Sequence, residues 1–308
     1  MARRRGHLSE VTPSPGAPAR AVLLRRSSLG DVVLVGAVAG ALPGCTVVTD
    51  ARYVALVRRM RGVGDVLAWP DHARALPSGP VFDLHDDRRS RALAPRPAGR
   101  VNKRSVRRLL RLALGLGGKR PSVPEIYAEA CGVAPAPGPW FDLPTASREA
   151  LVLVPGAATA TKRWRRAGFV AAGRAWGGPV RVLGGPGDEA RVAAVVAGIP
   201  GAVGVVEAGF DATFDALVGV RLAIGGDTGL VHLAGACGIP VVTVFGSTDA
   251  DDGFAVHAGR GVARDLACRP CSRHGRDVCP LGDAACRDVA VFDVLFAARA
   301  VDPAGPWR

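Results

Sequence analysis

The sequence has almost no lysine: Lys103, Lys119 and Lys162 are the three lysines among 40 basic residues, and arginine supplies the rest. Against 27 acidic residues this gives a formal charge of +13. A charge of that size draws anionic partners, whether nucleic acid, anionic membrane or phosphorylated ligands, without choosing among them. Arginine is accompanied by abundant alanine, glycine and valine, the usage of a GC-rich coding sequence, so much of the charge has a cause other than function.

Aromatic residues are scarce as well, at 5% of the chain, which leaves few platforms on which bases could stack. No zinc-finger spacing with paired histidines and no RNA-binding aromatic motif occurs, so a nucleic-acid partner is not expected. Long apolar runs are also missing. The longest, Val32 to Leu42, has eleven residues and stops at Pro43, against about 20 for a bilayer span. Arg3, Arg4 and Arg5 lead into a polar, proline-bearing stretch rather than the apolar core of a signal peptide. Residues 1–19 read as a basic, disordered tail, and the expected setting is cytoplasmic.

What the chain does have is length for two domains and a repeated grammar of short β-rich runs and helical stretches, the pattern of a parallel sheet covered by helices. One series has strands at Ala21 to Leu24, Thr46 to Thr49, Val66 to Ala68 and Val81 to Leu84, with helices near Val32 to Leu42, Ala51 to Arg61 and Ser105 to Leu114. After the Pro- and Gly-rich stretch Gly132 to Pro144, strands recur at Leu151 to Val154, Val180 to Leu183, Val203 to Val206, Leu222 to Ile224 and Val241 to Val244. The expectation is an α/β chain with Rossmann-like domains over residues 20–145 and 146–308 and a cleft between them. In such sheets ligands bind beyond the carboxyl ends of the strands.

Four strand-to-helix turns carry candidate chemistry. In Arg25-Arg26-Ser27-Ser28-Leu29-Gly30-Asp31, Asp31 is either a helix N-cap or a general base facing the cleft, and Gly30 would let a ligand approach closely. In Pro155 to Trp164, Lys162 is either a solvated loop residue or a compact point charge for a phosphate, and Trp164 packs the following helix. In Gly184-Gly185-Pro186-Gly187-Asp188-Glu189, an acidic residue either seats a ribose hydroxyl or caps a helix. In Gly225 to Ala234, glycines allow a tight turn, and Thr228 and Gly229 would present free helix amides to an anion. His232, one helical turn deeper, reads as structural.

Taken together, these segments resemble glycosyltransferase family 9, the lipopolysaccharide heptosyltransferases. The resemblance runs from about Ala21 to Val301. It rests on Arg26-Ser27-Ser28-Leu29-Gly30-Asp31-Val32-Val33, on Phe82-Asp83-Leu84-His85 with Arg89-Ser90, and on Pro155-Gly156-Ala157 through Lys162-Arg163-Trp164. Asp227 through Ala234, followed by Phe245-Gly246-Ser247-Thr248-Asp249, completes the set. The resemblance implies a GT-B fold, with an acceptor held mainly by the first half and a nucleotide-sugar donor, ADP-heptose or a related sugar, mainly by the second. It implies inversion at the anomeric centre without a metal or other cofactor. Asp31 would be the base, and Ser28 and Gly30 would line the acceptor side. Thr161, Lys162, Thr228 and Gly229 would hold the diphosphate, Asp227 would face the donor sugar, and Asp188 or Glu189 would meet the nucleoside. The acceptor implied is a phosphorylated glycolipid of the lipopolysaccharide inner core at the cytoplasmic face of the inner membrane. The amphipathic basic stretch Lys103 to Arg111 could dock it through Lys103, Arg104 and Arg107.

Cys268-x2-Cys271-x7-Cys279-x6-Cys286 has the leading pair of a structural zinc site; reduced thiols packing a loop, or disulfides, fit the same spacing. Cys45, Cys131 and Cys237 lie singly in apolar stretches, as small buried residues do. The segment Val289 to Val301 reads as a helix packing back across the first domain. Against the family pattern the first half is short: only Pro43-Gly44-Cys45 separates helix from strand, and little sequence joins Arg91 to Lys103. Its acceptor loops are expected to be trimmed.

Overall fold

The computed structural model describes residues 20–70, 76–101, 121–206, 209–250, 258–272 and 274–308. The basic tail and the stretch bearing Lys103, Arg104 and Arg107, with its expected helix, lie outside the described residues.

The first half is a parallel sheet in the order β3-β2-β1-β4-β5, built from β1 (Val22–Leu24), β2 (Cys45–Asp50), β3 (Val63–Trp69), β4 (Val81–Asp83) and β5 (Gly99–Arg100). The second half is a parallel sheet in the order β11-β10-β9-β6-β7-β8, from β6 (Ala150–Val154), β7 (Val180–Gly184), β8 (Val203–Val206), β9 (Val220–Gly226), β10 (Val241–Phe245) and β11 (Gly259–Ala263). In each sheet the first strand of the half sits between the second strand and a later one, so the strand order reverses beside β1 and beside β6. Those reversal points open a crevice at the strands' carboxyl ends. The turns after β1 and β4, and after β6 and β9, therefore become the places where a ligand can be held.

Burial accounts for the strands. All five residues of β6 and all five of β10 are buried, as expected of parallel strands covered on both faces, which read as continuous apolar runs rather than alternating ones. The expected helix from Val32 to Leu42 is two short ones, α1 (Leu29–Val33) and α2 (Gly36–Ala39). The segment after β2 is a 3₁₀ turn (Ala51–Tyr53) followed by α3 (Val54–Arg58). Next come α4 (Arg88–Leu93) and α5 (Val123–Cys131), which starts with a Ser122–Glu125 capping box and ends at Gly132 in the left-handed region. The second half adds α6 (Arg166–Ala175), α7 (Glu189–Val196), α8 (Phe210–Leu217), α9 (Gly229–Ala236) and α10 (Val291–Val301).

The two halves share a core. One buried apolar cluster runs from Leu23, Val32 and Val38 through Trp140 and Phe141 into Val152, Val231 and Leu233. At its centre α1 lies directly on α9. A Cβ on Gly229 would come within 2.6 Å of Leu29 Cγ, and one on Gly30 within 2.9 Å of His232 Cδ2. The deep part of the junction is thus closed.

The C-terminal helix departs from expectation. Val294, Ala297 and Ala298 of α10 are buried with Leu151, Leu222, Val242 and Val244, so α10 covers the second sheet and not the first domain. The Arg221–Asp302 ion pair and the edge-on contact of Trp307 with Trp176, centroids 4.8 Å apart, tie the tail after α10 to the same half.

Candidate active site

Asp31 is not the N-cap of α1. Ser28 is, and Asp31 at the third helical position reaches back to it in a capping box. Ser28 Oγ and Ser28 N donate to Asp31 Oδ2 at 2.9 and 3.3 Å. Arg25 Nη2 pairs with the same oxygen, while 31% of the Asp31 side chain remains exposed. Burial alone would push this carboxyl up; the Arg25 charge and the Ser28 hydrogen bonds outweigh it and hold Asp31 below the usual aspartate range.

Arg25 and Arg26 both follow β1 and are both buried, at 5% and 9% exposure. Arg26 lies 4.9 Å over the Trp69 ring, with Asp50 at 3.3 Å and Asp87 at 3.1 Å. Beside them, the fully buried Asp83 at the end of β4 accepts from His85 N, Asp86 N, Ser90 Oγ and Arg100 Nε. The Asp83 and Ser90 of the sequence signature therefore fasten α4 and β5 to the end of β4. They back the turn after β1 that carries Arg25 and Asp31.

In the second half Lys162 closes a 3₁₀ turn after β6, and its Nζ lies 2.7 Å from Asp227 Oδ2 at the end of β9. The backbone of Lys162 rests directly on Gly226, where any side chain would collide with the Lys162 carbonyl. From the other side, segment 274–277 presses on the lysine stem. A Cβ on Gly275 would fall 2.6 Å from Lys162 Cγ.

Thr161 is buried, and its hydroxyl is taken up within this wall, 2.8 Å from Ser247 Oγ and in hydrogen bonds with Arg276 N and O. The structure turns it inward to hold the loop that carries Lys162. Thr228 is the N-cap of α9 without a side-chain cap bond, and Gly229 opens the helix against Leu29. The glycine at 30 also has a reason other than the expected one. The space above it is filled by His232 rather than left open to a ligand.

His232 is where the two sides meet. It is 6% exposed and packs on Gly30. Burial lowers its pKa to about 4, with the Asp31 charge working against that shift and the Lys162 charge adding to it. A neutral imidazole thus stands within the fields of both the Asp31 carboxylate of the first half and the Lys162 ammonium of the second. Asp188 and Glu189 lie further along the crevice. Asp188 accepts from Gly185 N and pairs with Arg191 at 3.0 Å. Glu189 is exposed and accepts from Gly187 N, which lowers its pKa.

Residues 108–277 match the model of glycosyltransferase family 9 (heptosyltransferase). The chain belongs to that family. No curated protein matches the sequence. Among solved structures, the chain is similar to a family 9 glycosyltransferase from Veillonella parvula, with TM-score 0.65, 14% identity, and coverage of 92% of this chain and 97% of that one. It is similar to the E. coli ADP-heptose lps heptosyltransferase II at TM-score 0.65 and 16% identity, over 92% of this chain and 98% of the other. It is also similar to the E. coli heptosyltransferase WaaC with ADP at TM-score 0.56 and 20% identity, over 75% and 89%. The two parallel sheets are accordingly those of a GT-B heptosyltransferase fold, and this family 9 glycosyltransferase carries its signature turns at the reversal points of both sheets.

Cys268 is exposed, Cys271 and Cys279 are half-buried, and Cys286 is buried, all as free thiols. Burial, together with the neighbouring Cys271, Cys279 and Cys268, raises the Cys286 thiol, so the four share one loop. Among the described residues, however, no three His, Cys, Asp or Glu side chains form a group that could hold a metal ion. The loop is fastened by backbone bonds instead, from Cys271 N and Ser272 N to Ser247 O and from Thr161 N to Arg276 O. Among the described residues no helix is long and apolar enough to cross a membrane.

Arg25 and Tyr127 are the site residues that sequence reasoning did not place, whereas His232, read as structural, is buried against Gly30. A buried arginine has no local signature, and Tyr127 lies on α5, far along the chain from Asp31.

Proposed function

We propose that this family 9 enzyme transfers a heptose or a related sugar from an ADP-sugar to a hydroxyl of a phosphorylated glycolipid of the lipopolysaccharide inner-core type, inverting the anomeric centre. The observation that carries the reading is the convergence of Asp31, His232, Lys162 and Asp227 where the reversal points of the two sheets face each other. The likeness to the E. coli ADP-heptose lps heptosyltransferase II and to heptosyltransferase WaaC with ADP supports the donor class.

In this reading the acceptor oxygen bonds to the anomeric carbon as its proton passes to Asp31. The bond from that carbon to the diphosphate breaks, and its electron pair leaves with the nucleoside diphosphate. The charge that accumulates on the leaving group meets Lys162 and the amino end of α9, fixed donors that need no rearrangement at the moment of reaction. These protein cations supply the stabilisation without a metal cofactor. Asp227 orients the donor sugar, and Asp188 or Glu189 reaches its nucleoside. The enzyme works as a peripheral protein at the cytoplasmic face of an anionic membrane.

A mass-spectrometric screen of nucleotide sugars against phosphorylated and dephosphorylated core glycolipids tests this. The expected product is heptosylated, with ADP released. A product from a different nucleotide sugar or acceptor would reassign the substrates within the family, and no glycosyl product from any pair would overturn the reading.

A further inference from the structure

The donors around Asp31 are distributed unevenly. Among the described residues, the hydrogen bonds and the ion pair to its carboxylate all end on Oδ2, from Ser28 Oγ, Ser28 N and Arg25 Nη2. Oδ1 is left as the oxygen that can receive a proton. An ionised carboxylate accepts on both oxygens, so Oδ1 keeps its lone pairs for a proton or an acceptor hydroxyl.

Arg25 is itself fixed from two further sides. Its Nη1 donates to Leu84 O at 2.7 Å, which ties it to the end of β4, and its guanidinium lies 5.8 Å from the centroid of the Tyr127 ring. Tyr127 is 2% exposed, and its hydroxyl donates to the Asp31 carbonyl at 3.4 Å. The phenol is raised by burial, so it stays a protonated donor. Arg25 also carries a cost: among the described residues its Nε is buried without a hydrogen-bond partner. A buried N–H left unpaired is unfavourable and calls for an explanation beyond packing. The fork of the guanidinium supplies one, since it holds the Leu84 carbonyl and the Asp31 carboxylate at once in a fixed plane.

We propose that Arg25 and Tyr127 are positioning residues: they clamp Oδ2 and the backbone of Asp31 so that Oδ1 alone faces the acceptor hydroxyl. The inference rests on Asp31 being the base. Arg25 keeps Asp31 ionised and aimed, and Tyr127 keeps Arg25 and the first turn of α1 in register. The other titratable groups facing Asp31 are Tyr53 from the 3₁₀ turn before α3 and His232 from α9, with Lys162 beyond His232.

The test uses the full chain with Arg25→Gln, Arg25→Lys and Tyr127→Phe. The Asp31 carboxyl is followed by carbon-13 NMR across pH, its signal identified by its loss in Asp31→Asn; this needs no substrate. Asp31 should titrate below the ordinary aspartate range in the native chain and move upward in Arg25→Gln, with part of the shift recovered in Arg25→Lys. In the transfer assay the acid limb of the pH profile should move with it. In Arg25→Gln kcat should fall by about 10²-fold, the scale of a misplaced reacting group, while the donor KM holds. Tyr127→Phe should lower kcat by about 10-fold. An Arg25→Gln chain whose Asp31 titration and acid limb stay in place overturns the inference. If that variant does not fold, full activity in Arg25→Lys, which lacks the fork, together with full activity in Tyr127→Phe overturns it equally. The base assignment fails separately, through an active Asp31→Asn enzyme.

Discussion

Lys162 Nζ stands 2.7 Å from Asp227 Oδ2, and each side chain keeps only 14% of its surface exposed. A diphosphate arriving at the amino end of α9 must compete with that carboxylate for the ammonium. Asp227→Asn should therefore bind ADP about tenfold more tightly, roughly 1.4 kcal/mol, because an unlike partner is released and a like charge removed. It should nonetheless transfer sugar more slowly, having lost the group that orients the sugar. Lys162→Ala should weaken ADP binding and shrink the rise in Tm that ADP produces. Titration calorimetry on the three proteins decides; weaker ADP binding by Asp227→Asn would mean that the carboxylate holds the nucleotide directly.

Asp31→Asn keeps the shape and the acceptor oxygen for the Ser28 bonds but cannot take a proton. Transfer should drop by about 10²–10⁴-fold, the usual scale for a general base, with ADP affinity nearly unchanged. The native carboxyl is held below the usual aspartate range. The acid limb of the rate profile attributable to it should accordingly lie below that range and vanish in the variant. Full activity in Asp31→Asn would remove Asp31 from the chemistry.

Thr161 separates two accounts of the donor wall. Its hydroxyl is 2.8 Å from Ser247 Oγ and binds the Arg276 backbone on the far side from the ligand space. Thr161→Val should leave those groups unpaired and cost about 1–3 kcal/mol of stability, loosening the loop that presses on Lys162 and weakening ADP binding in consequence. Thr161→Ser, which keeps the hydroxyl, should restore both. Chemical denaturation and calorimetry on the pair check this. A Thr161→Val chain that loses ADP binding at full stability would put the hydroxyl on the donor instead.

At Gly30 a Cβ would approach within 2.9 Å of His232 Cδ2. Overpacking of this kind costs about 1–3 kcal/mol, so Gly30→Ala should unfold earlier and lose activity as α1 shifts. The double variant Gly30→Ala with His232→Ala should recover part of that stability, because the colliding ring is gone. A cycle of denaturation measurements over the four chains reads the coupling; strict additivity would show that His232 is not what fills the space.

This pair also marks where the sequence was legible and where it was not. Asp31, Lys162 and Asp227 stand at ends of strands followed by helical starts, a local grammar, and the structure puts them at the sheet reversal points. The reason for Gly30 is a histidine two hundred positions away on the other half, and no local pattern encodes that. Strands β5 and β11 went unseen for a simpler cause. Gly99–Arg100 and Gly259-Arg260-Gly261-Val262-Ala263 carry little apolar content and are edge strands, held by pairing with β4 and β10 rather than by their own burial. The spacing of Cys268, Cys271, Cys279 and Cys286 left zinc, reduced thiols and disulfides open, and the contacts of that loop with Thr161 and Ser247 are ones that spacing along the chain cannot convey.

His232 gives the fold an acid weakness whose sign can be worked out. Burial lowers its pKa from 6.5 to about 4, against the attraction of Asp31 and with the repulsion of Lys162. Between those two values the unfolded chain binds a proton that the folded chain refuses, so stability falls as the pH falls through this window and rises again with pH. The penalty is complete below the folded value and amounts to about 3 kcal/mol. His232→Gln removes the titration while keeping a polar side chain. Its stability curve should therefore be flatter than the native one between pH 6.5 and 4, the two curves converging or crossing on the acid side. Urea midpoints taken at half-unit steps of pH measure this. Parallel curves throughout the window would show that the folded protein accepts the proton at His232, and with it that the imidazole is not the neutral group joining the two halves of the site.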